Sequence, residues 1–258
     1  MPGRARKEHG GAGDPAHILE LLWREPGAEG ARRGPRQGLS VDAVVGVAVE
    51  LADSAGLEAL TMRGIAGRLG VTPMTLYTYV PGKAELLDLM LDSVYLRMPR
   101  TAGPDAPWRS RVEAVARENR DLYARHPWVA GMSTARPPLG PGLMTKYEHE
   151  LAAFEGSGLG DVERDAALTL LLGFVHCVAR AALDTQAAVR DSALSDQQWW
   201  AAHEPLLAKV FDPARFPLAA RIGRAAGEAH QGMYDPEYAF TFGLRRILDG
   251  LARLGEPG

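Results

Sequence analysis

Between Met62 and Pro81 the chain carries the pattern of two short helices that meet at a glycine, and no acidic residue interrupts it. Thr61 is placed to cap a helix whose inward residues are Ile65, Ala66 and Leu69; Gly70 suits a left-handed turn, and Val71 fills the angle between the helices. Thr72 is a good N-cap and Pro73 a good first helical residue, because its φ is already helical and its missing N–H would have had no partner. Leu76, Tyr79 and Val80 give the second helix an inner face, which leaves Met74, Thr75, Tyr77 and Thr78 pointing outward. Ordinary corners between helices share this arrangement of apolar residues and glycine, so the apolar pattern alone does not separate a corner from a DNA-reading helix-turn-helix. Charge does. Between Glu58 and Glu85 the only formal charges are Arg63, Arg68 and Lys83, whereas a solvated corner mixes signs. A surface that lies against phosphates avoids carboxylates and gains by releasing counterions from the duplex, so double-stranded DNA is the partner this stretch fits.

The flanking segments complete a small three-helix unit. Ser40 caps a predicted helix with an inward stripe at Val44, Val47, Ala48, Leu51 and Ala55, ended by Gly56. After the motif, Pro81-Gly82-Lys83 opens a longer helix with Leu86, Leu87, Met90, Leu91, Val94 and Tyr95 on its apolar side. Its unpaired N-terminal N–H groups, together with Lys83, predict a phosphate clamp.

The run Leu60-Thr61-Met62-Arg63-Gly64-Ile65-Ala66-Gly67-Arg68-Leu69-Gly70-Val71, then Thr75-Leu76-Tyr77-Thr78-Tyr79-Val80 and Lys83-Ala84-Glu85-Leu86-Leu87-Asp88, resembles the N-terminal domain of TetR-family repressors of the tetracycline-repressor branch. The resemblance runs from Leu39 to about Met98, with the spacing of Gly70, Leu76-Tyr77, Lys83 and Leu86-Leu87 kept without a gap. It implies an all-α homodimer whose helix around Thr72–Tyr79 enters the major groove, with a C-terminal domain that binds a small-molecule effector and releases an operator. On that basis Thr72, Thr75, Tyr77 and Thr78 contact bases or nearby phosphates, Met74 meets a thymine methyl, and Arg63, Tyr79 and Lys83 hold the backbone. Gly64 and Gly67 depart from the family pattern, since helix formers are usual there and each glycine costs up to about 1 kcal/mol relative to Ala.

With 258 residues, the chain has room for three parts: an Arg/Gly/Pro-rich extension over residues 1–38, the DNA-binding unit over 39–98, and a larger helical domain over 99–258. Two readings of the extension compete. Arg32, Arg33 and Arg36 could form a basic arm that touches DNA, while Glu20, Glu25 and Glu29 dilute the charge and suit a solubilising tail; Ala16–Trp23 has the pattern of a short helix. A net charge of −3 and a pI near 6.2 make any DNA footprint local. A single cysteine, Cys177, excludes an intrachain disulfide and fits a reducing cytoplasm. The expectation is no membrane segment, no cofactor and no metal.

Beyond Arg100 the periodicity remains helical. Trp108, Val112, Val115, Leu122 and Tyr123 mark one helix; Met144, Tyr147, Leu151 and Phe154 another; Asp161 is a candidate cap for a long segment to about Val189; Asp235-Pro236 opens the last helix, with Phe240, Leu244, Ile247, Leu251 and Leu254 on one face. Small residues such as Ala167, Gly173, Ala181, Gly243 and Gly250 allow close helix packing, either within one chain or, as the resemblance implies, across a dimer. Rough alignment to the family points to Asn119, Met132, Tyr147, Leu171 and Val175 as effector-lining residues, with Trp128, Phe174 and His176 nearby; plain core positions share the same spacing. Where the tetracycline repressor keeps histidines for its magnesium-chelated drug, this chain has Pro99 and Met132, which argues against that effector. The segment from Asp191 to Gly232, with Trp199, Trp200, Phe211 and Phe216, has no evident counterpart and is a candidate cover for the pocket.

Two other functions have weaker footing. Gly131-Met132-Ser133-Thr134-Ala135 approaches a nucleophile elbow, yet it lacks the final glycine and needs a preceding strand. A DNA-binding protein with no effector would carry the same N-terminal motif.

Overall fold

The computed structural model describes residues 15–25, 39–132, 136–230 and 234–255, and the described residues are helical with no strand among them. Arg32, Arg33 and Arg36 lie outside the described residues, as do Ser133–Ala135. In chain order the helices are α1 (Pro15–Leu22), α2 (Val41–Ala55), α3 (Met62–Arg68), α4 (Pro73–Tyr77), α5 (Lys83–Leu96), α6 (Trp108–Arg125), α7 (Pro141–Ala152), α8 (Asp161–Ser192), α9 (Asp196–Leu207), α10 (Pro217–His230) and α11 (Pro236–Leu254). A short 3-10 turn, Pro127–Gly131, follows α6, so the strand a nucleophile elbow requires is not there. The chain packs as two compact units: one runs to His176 and takes in the stretch from Leu251, and the other is Cys177–Gly250.

Local signals set the N-terminal helices. The Ser40 side chain accepts from Ala43 N, and Gly56 closes α2 with φ +76°. The buried stripe of α2 differs from the expected one. Val41, Val44, Val45, Ala48, Val49 and Ala52 are buried, whereas Val47 and Leu51 are only partly covered and Ala55 is exposed. The helix turns this face inward because it packs against α5, α3 and the 3-10 turn together, so a single-stripe reading misplaces its centre. On α5, Leu86, Leu87, Met90, Leu91, Val94 and Tyr95 are buried as the spacing predicts, and Asp88, Leu89 and Asp92 are buried as well. A helix enclosed on several sides reads less clearly from one face.

In α7 the expectation holds only toward its end, where Leu151 is partly buried and Phe154, just past the helix, is fully buried. Gly142, Lys146 and Glu150 face inward at a spacing of four, while Met144 and Tyr147 are exposed. Lys146 Nζ bonds Glu150 Oε1 at 2.6 Å, and Asn119 Nδ2 of α6 donates to the same oxygen at 2.6 Å. This buried polar trio satisfies itself, which removes the penalty that would otherwise keep charges at the surface.

α8 starts one residue earlier than a cap at Asp161 would require: Asp161 is the first helical residue, and Gly160 N before it donates to the Glu163 carboxylate at 2.8 Å. By length and composition α8 is apolar enough to cross a membrane, which corrects the expectation that no such run exists. Its residues Ala167, Leu168, Leu171, Val175, Val178 and Ala179 are nonetheless buried at helical spacing. In α11, Asp235 Oδ1 accepts from Glu237 N at 2.9 Å and Tyr238 N at 3.0 Å, which is the cap expected there; Leu248 is buried where Ile247 was expected, and Leu254 is exposed. Neither α9 nor α10 has a buried residue.

Candidate nucleic-acid interface

Two threonine caps build the helix-turn-helix. Thr61 Oγ1 accepts from Gly64 N at 3.0 Å to start α3, and Thr72 Oγ1 accepts from Thr75 N at 3.2 Å to start α4. Gly70 stands between them at φ +67°, in the left-handed region where a side chain is strained. A Cβ on Gly64 would come to 3.1 Å from the capping hydroxyl of Thr61, a tight approach that a small shift of the hydroxyl would relieve; nothing in the structure explains Gly67. Ile65, Ala66, Leu76 and Val80 are buried beneath the motif and fix the angle of α4 from below.

The outward residues fall as the sequence predicts. Met74 is 76% exposed and Tyr77 45%, and Thr72, Thr78, Arg63 and Arg68 are exposed beside them. Thr75 is half-buried, and its hydroxyl lies 2.9 Å from that of Thr72. Thr78 Oγ1 donates to Thr75 O at 2.7 Å, so its lone pairs remain for a donor on DNA. Tyr79 is half-buried and packs against the apolar cluster of the head. Lys83 Nζ donates to Leu57 O at 3.3 Å, which ties the start of α5 to the turn after α2. The Glu85 carboxylate curls back over this end: its Oε2 lies 2.8 Å from where a Cβ on Gly82 would stand.

Behind the head, two aspartates join it to the next helices. Asp53 Oδ1 of α2 accepts from Trp128 Nε1 at 2.7 Å and lies 2.8 Å from His126 Nδ1. Asp92 of α5 accepts from Gly142 N at 3.0 Å and Leu143 N at 2.8 Å, and so caps α7. Burial, the largest influence on Asp92, raises its pKa above the usual carboxylate value, opposed by these two backbone bonds. Neither aspartate is marked by a sequence pattern, since each partner is a distant backbone or side-chain donor.

Among the residues suggested as effector-lining, Asn119, Met132, Leu171 and Val175 are buried, whereas Tyr147 is 41% exposed and donates to Asp165 Oδ1 at 2.7 Å. Asn119 has both amide hydrogens engaged, one on Val115 O and one on Glu150. His176 is a hydrogen-bonded histidine, with Nε2 2.9 Å from Ala130 O and its ring edge-on to Tyr123. An open cleft of about 300 Å³ on α11 is lined by Tyr238, Thr241, Phe242, Arg245 and Arg246, none of which was suggested from the sequence.

Tyr95, which is buried, and Tyr123, which is partly buried, give a pH signature near Glu150. Burial, with a smaller push from Glu150, moves the Tyr123 hydroxyl up to about 12, and burial raises Tyr95 as well. A raised tyrosine favours the folded state fully below pH about 10, where the unfolded group titrates, and that contribution is lost as pH climbs toward 12. Urea midpoints should therefore fall between pH 10 and 12, and Tyr123→Phe should make that fall shallower. An unchanged slope would show that Tyr123 ionises freely in the folded chain.

Residues 44–90 match the family model of bacterial regulatory proteins of the tetR family, and residues 100–254 match the tetracyclin repressor-like C-terminal domain. The chain is 43% identical over 249 residues to the HTH-type transcriptional repressor DrrR1 of Streptomyces coeruleorubidus, with 95% of this chain and 88% of that protein covered. It is 26% identical over 216 residues to the class E tetracycline repressor protein of Escherichia coli, with 83% and 91% covered. Among solved structures, ActR of Streptomyces coelicolor in complex with actinorhodin matches with a TM-score of 0.69 at 27% identity, covering 83% of this chain and 96% of ActR. The capped helix-turn-helix and the helical region behind it thus fall within two matching family models, and the chain belongs to the TetR family of transcriptional regulators.

Proposed function

We propose that this protein is a homodimeric repressor that reads a near-palindromic operator through α4 and lets go when a small-molecule effector binds its C-terminal helices. The observation that carries this reading is the outer face of α3 and α4. It presents Met74, Tyr77 and Thr78 from α4 and its end and Arg63 and Arg68 from α3, on a buried base and with no carboxylate between Glu58 and Glu85. Met74 offers an apolar contact to a thymine methyl, while Thr72, Thr75, Tyr77 and Thr78 supply hydroxyls for base edges or phosphates, and Arg63, Tyr79 and Lys83 hold the backbone. Two copies are needed to read half-sites about one helical turn apart. Exposed apolar residues on α8 (Leu170) and on α11 (Tyr238, Phe242) support pairing of subunits through these helices.

Release follows if the effector binds better to a form in which the two α4 helices are misplaced. A coupling of about 1 to 3 kcal/mol weakens DNA binding by roughly 5- to 150-fold. The actinorhodin complex of ActR supports a small organic molecule as effector, within the helical region where Asn119, Met132, Leu171 and Val175 are buried and Tyr147 sits at the surface.

Selecting bound duplexes from a random pool tests the operator reading. The expected product is an inverted repeat with half-sites about one turn apart; recovery of no common sequence would remove it. On the selected duplex, Lys83→Ala should weaken binding and lower the salt slope by about one phosphate contact. Unchanged affinity and slope would show that Lys83 makes no phosphate contact.

A further inference from the structure

Residues Pro15 to Arg24 precede the family's DNA-binding model, which begins at residue 44, yet they are folded onto the molecule. Leu21 and Leu22 are buried, and Ile18 packs against the same apolar cluster. The C-terminal end of α1 reaches three other elements. Arg24 pairs with Asp42 in the first turn of α2 and also donates to Leu21 O. Trp23 Nε1 donates to Leu139 O at 2.8 Å. α1 also lies against α5, where the Arg24 charge acts on Asp92. Leu139 leads directly into Gly140, the N-cap of α7, and Asp92 holds the first-turn amides of the same helix. One end of α1 therefore meets the start of α2, the middle of α5 and the start of α7.

Building on the operator-binding reading, we propose that α1 is a clasp: Trp23 and Arg24 hold α2 and α5 of the DNA-reading head in register with α7, and so set the fraction of protein whose heads are placed for DNA. The apolar end of α1 anchors it, while the Trp23 indole, 55% exposed, makes the bond to α7's leader. A bond of that kind shifts an equilibrium by about two- to ten-fold, enough to tune a two-state regulator without unfolding it. A basic arm that touches phosphates would act differently, because it would add to the salt dependence of binding.

Trp23→Phe removes the N–H and changes no charge; Arg24→Gln removes the pair with Asp42; Leu19→Ala alters an exposed residue of the same helix and serves as control. In the free full-length protein, hydrogen exchange at the Gly142 and Leu143 amides should quicken several-fold in the first two variants and not in the control, with Ile65 and Leu69 in the head unaffected. On the selected duplex, Trp23→Phe should weaken binding about two- to ten-fold at an unchanged salt slope. Unchanged exchange at Gly142 and Leu143, unchanged affinity, or a loss of affinity with a lower salt slope would each overturn the clasp. If the unmodified protein selects no duplex, the operator reading fails, and the exchange measurement alone decides whether α1 holds α7.

Discussion

Gly142→Ala should destabilise the protein by about 3 kcal/mol or more, combining overpacking with loss of a helix cap. A Cβ at this position would stand 1.9 Å from the backbone oxygen of Asp92 and 3.0 Å from its carboxyl carbon. Backbone oxygen cannot swing aside as a side-chain tip can, so α5 and α7 must separate. That separation also breaks the bonds from Gly142 N and Leu143 N to the Asp92 carboxylate. Urea or thermal unfolding measures the loss, which corresponds to a fall in Tm of roughly 6–12 °C for a chain of this size. Gly223→Ala in α10 is the control: a Cβ there meets nothing within 4 Å, so the helix former should be neutral or slightly stabilising. If both substitutions have the same small effect, the close approach of α5 to α7 is wrong.

Glu150→Ala should cost about 3–5 kcal/mol, because it strands a buried ammonium. Glu150 and Lys146 are both buried, and the Glu150 Oε1 atom accepts from Lys146 Nζ and Asn119 Nδ2 at 2.6 Å each. Without the carboxylate, Lys146 retains only its position 5.3 Å from the centre of the Tyr95 ring. Combining Glu150→Leu with Lys146→Met removes both charges and should recover most of the stability, as replacement of a buried pair by apolar residues generally does. Denaturant unfolding of the single and double variants checks this. Equal losses in the two would mean that the pair's packing, and not the unpaired charge, sets the penalty.

The legible part of this protein is its DNA-reading head. Thr61, Gly70, Thr72 and Pro73 act through their own and adjacent backbone bonds, so their roles can be read within a few residues of sequence. The outward set Met74, Tyr77 and Thr78 follows once the helix start is known, because helical period then sorts the faces. α7 shows where that logic stops. Its apolar residues Met144 and Tyr147 lie outside and its Lys146 and Glu150 inside, since Asn119, 31 residues earlier than Glu150, offers the bond that makes a buried charge tolerable. No period within α7 carries information about Asn119. The same holds for the α2 stripe, whose centre moved because three neighbours, not one, cover it.

The sequence by itself determined the helical class, the helix-turn-helix with its caps and turn glycine, and the carboxylate-free face, because each depends on short-range stereochemistry or on charge that needs no partner. Tertiary structure alone decided which side of α7 is buried, that Asp53 and Asp92 join the head to the helices behind it, and that α1 is packed against the head. Those outcomes depend on donors and acceptors brought together from distant parts of the chain, and their energies exist only once the intervening backbone has folded.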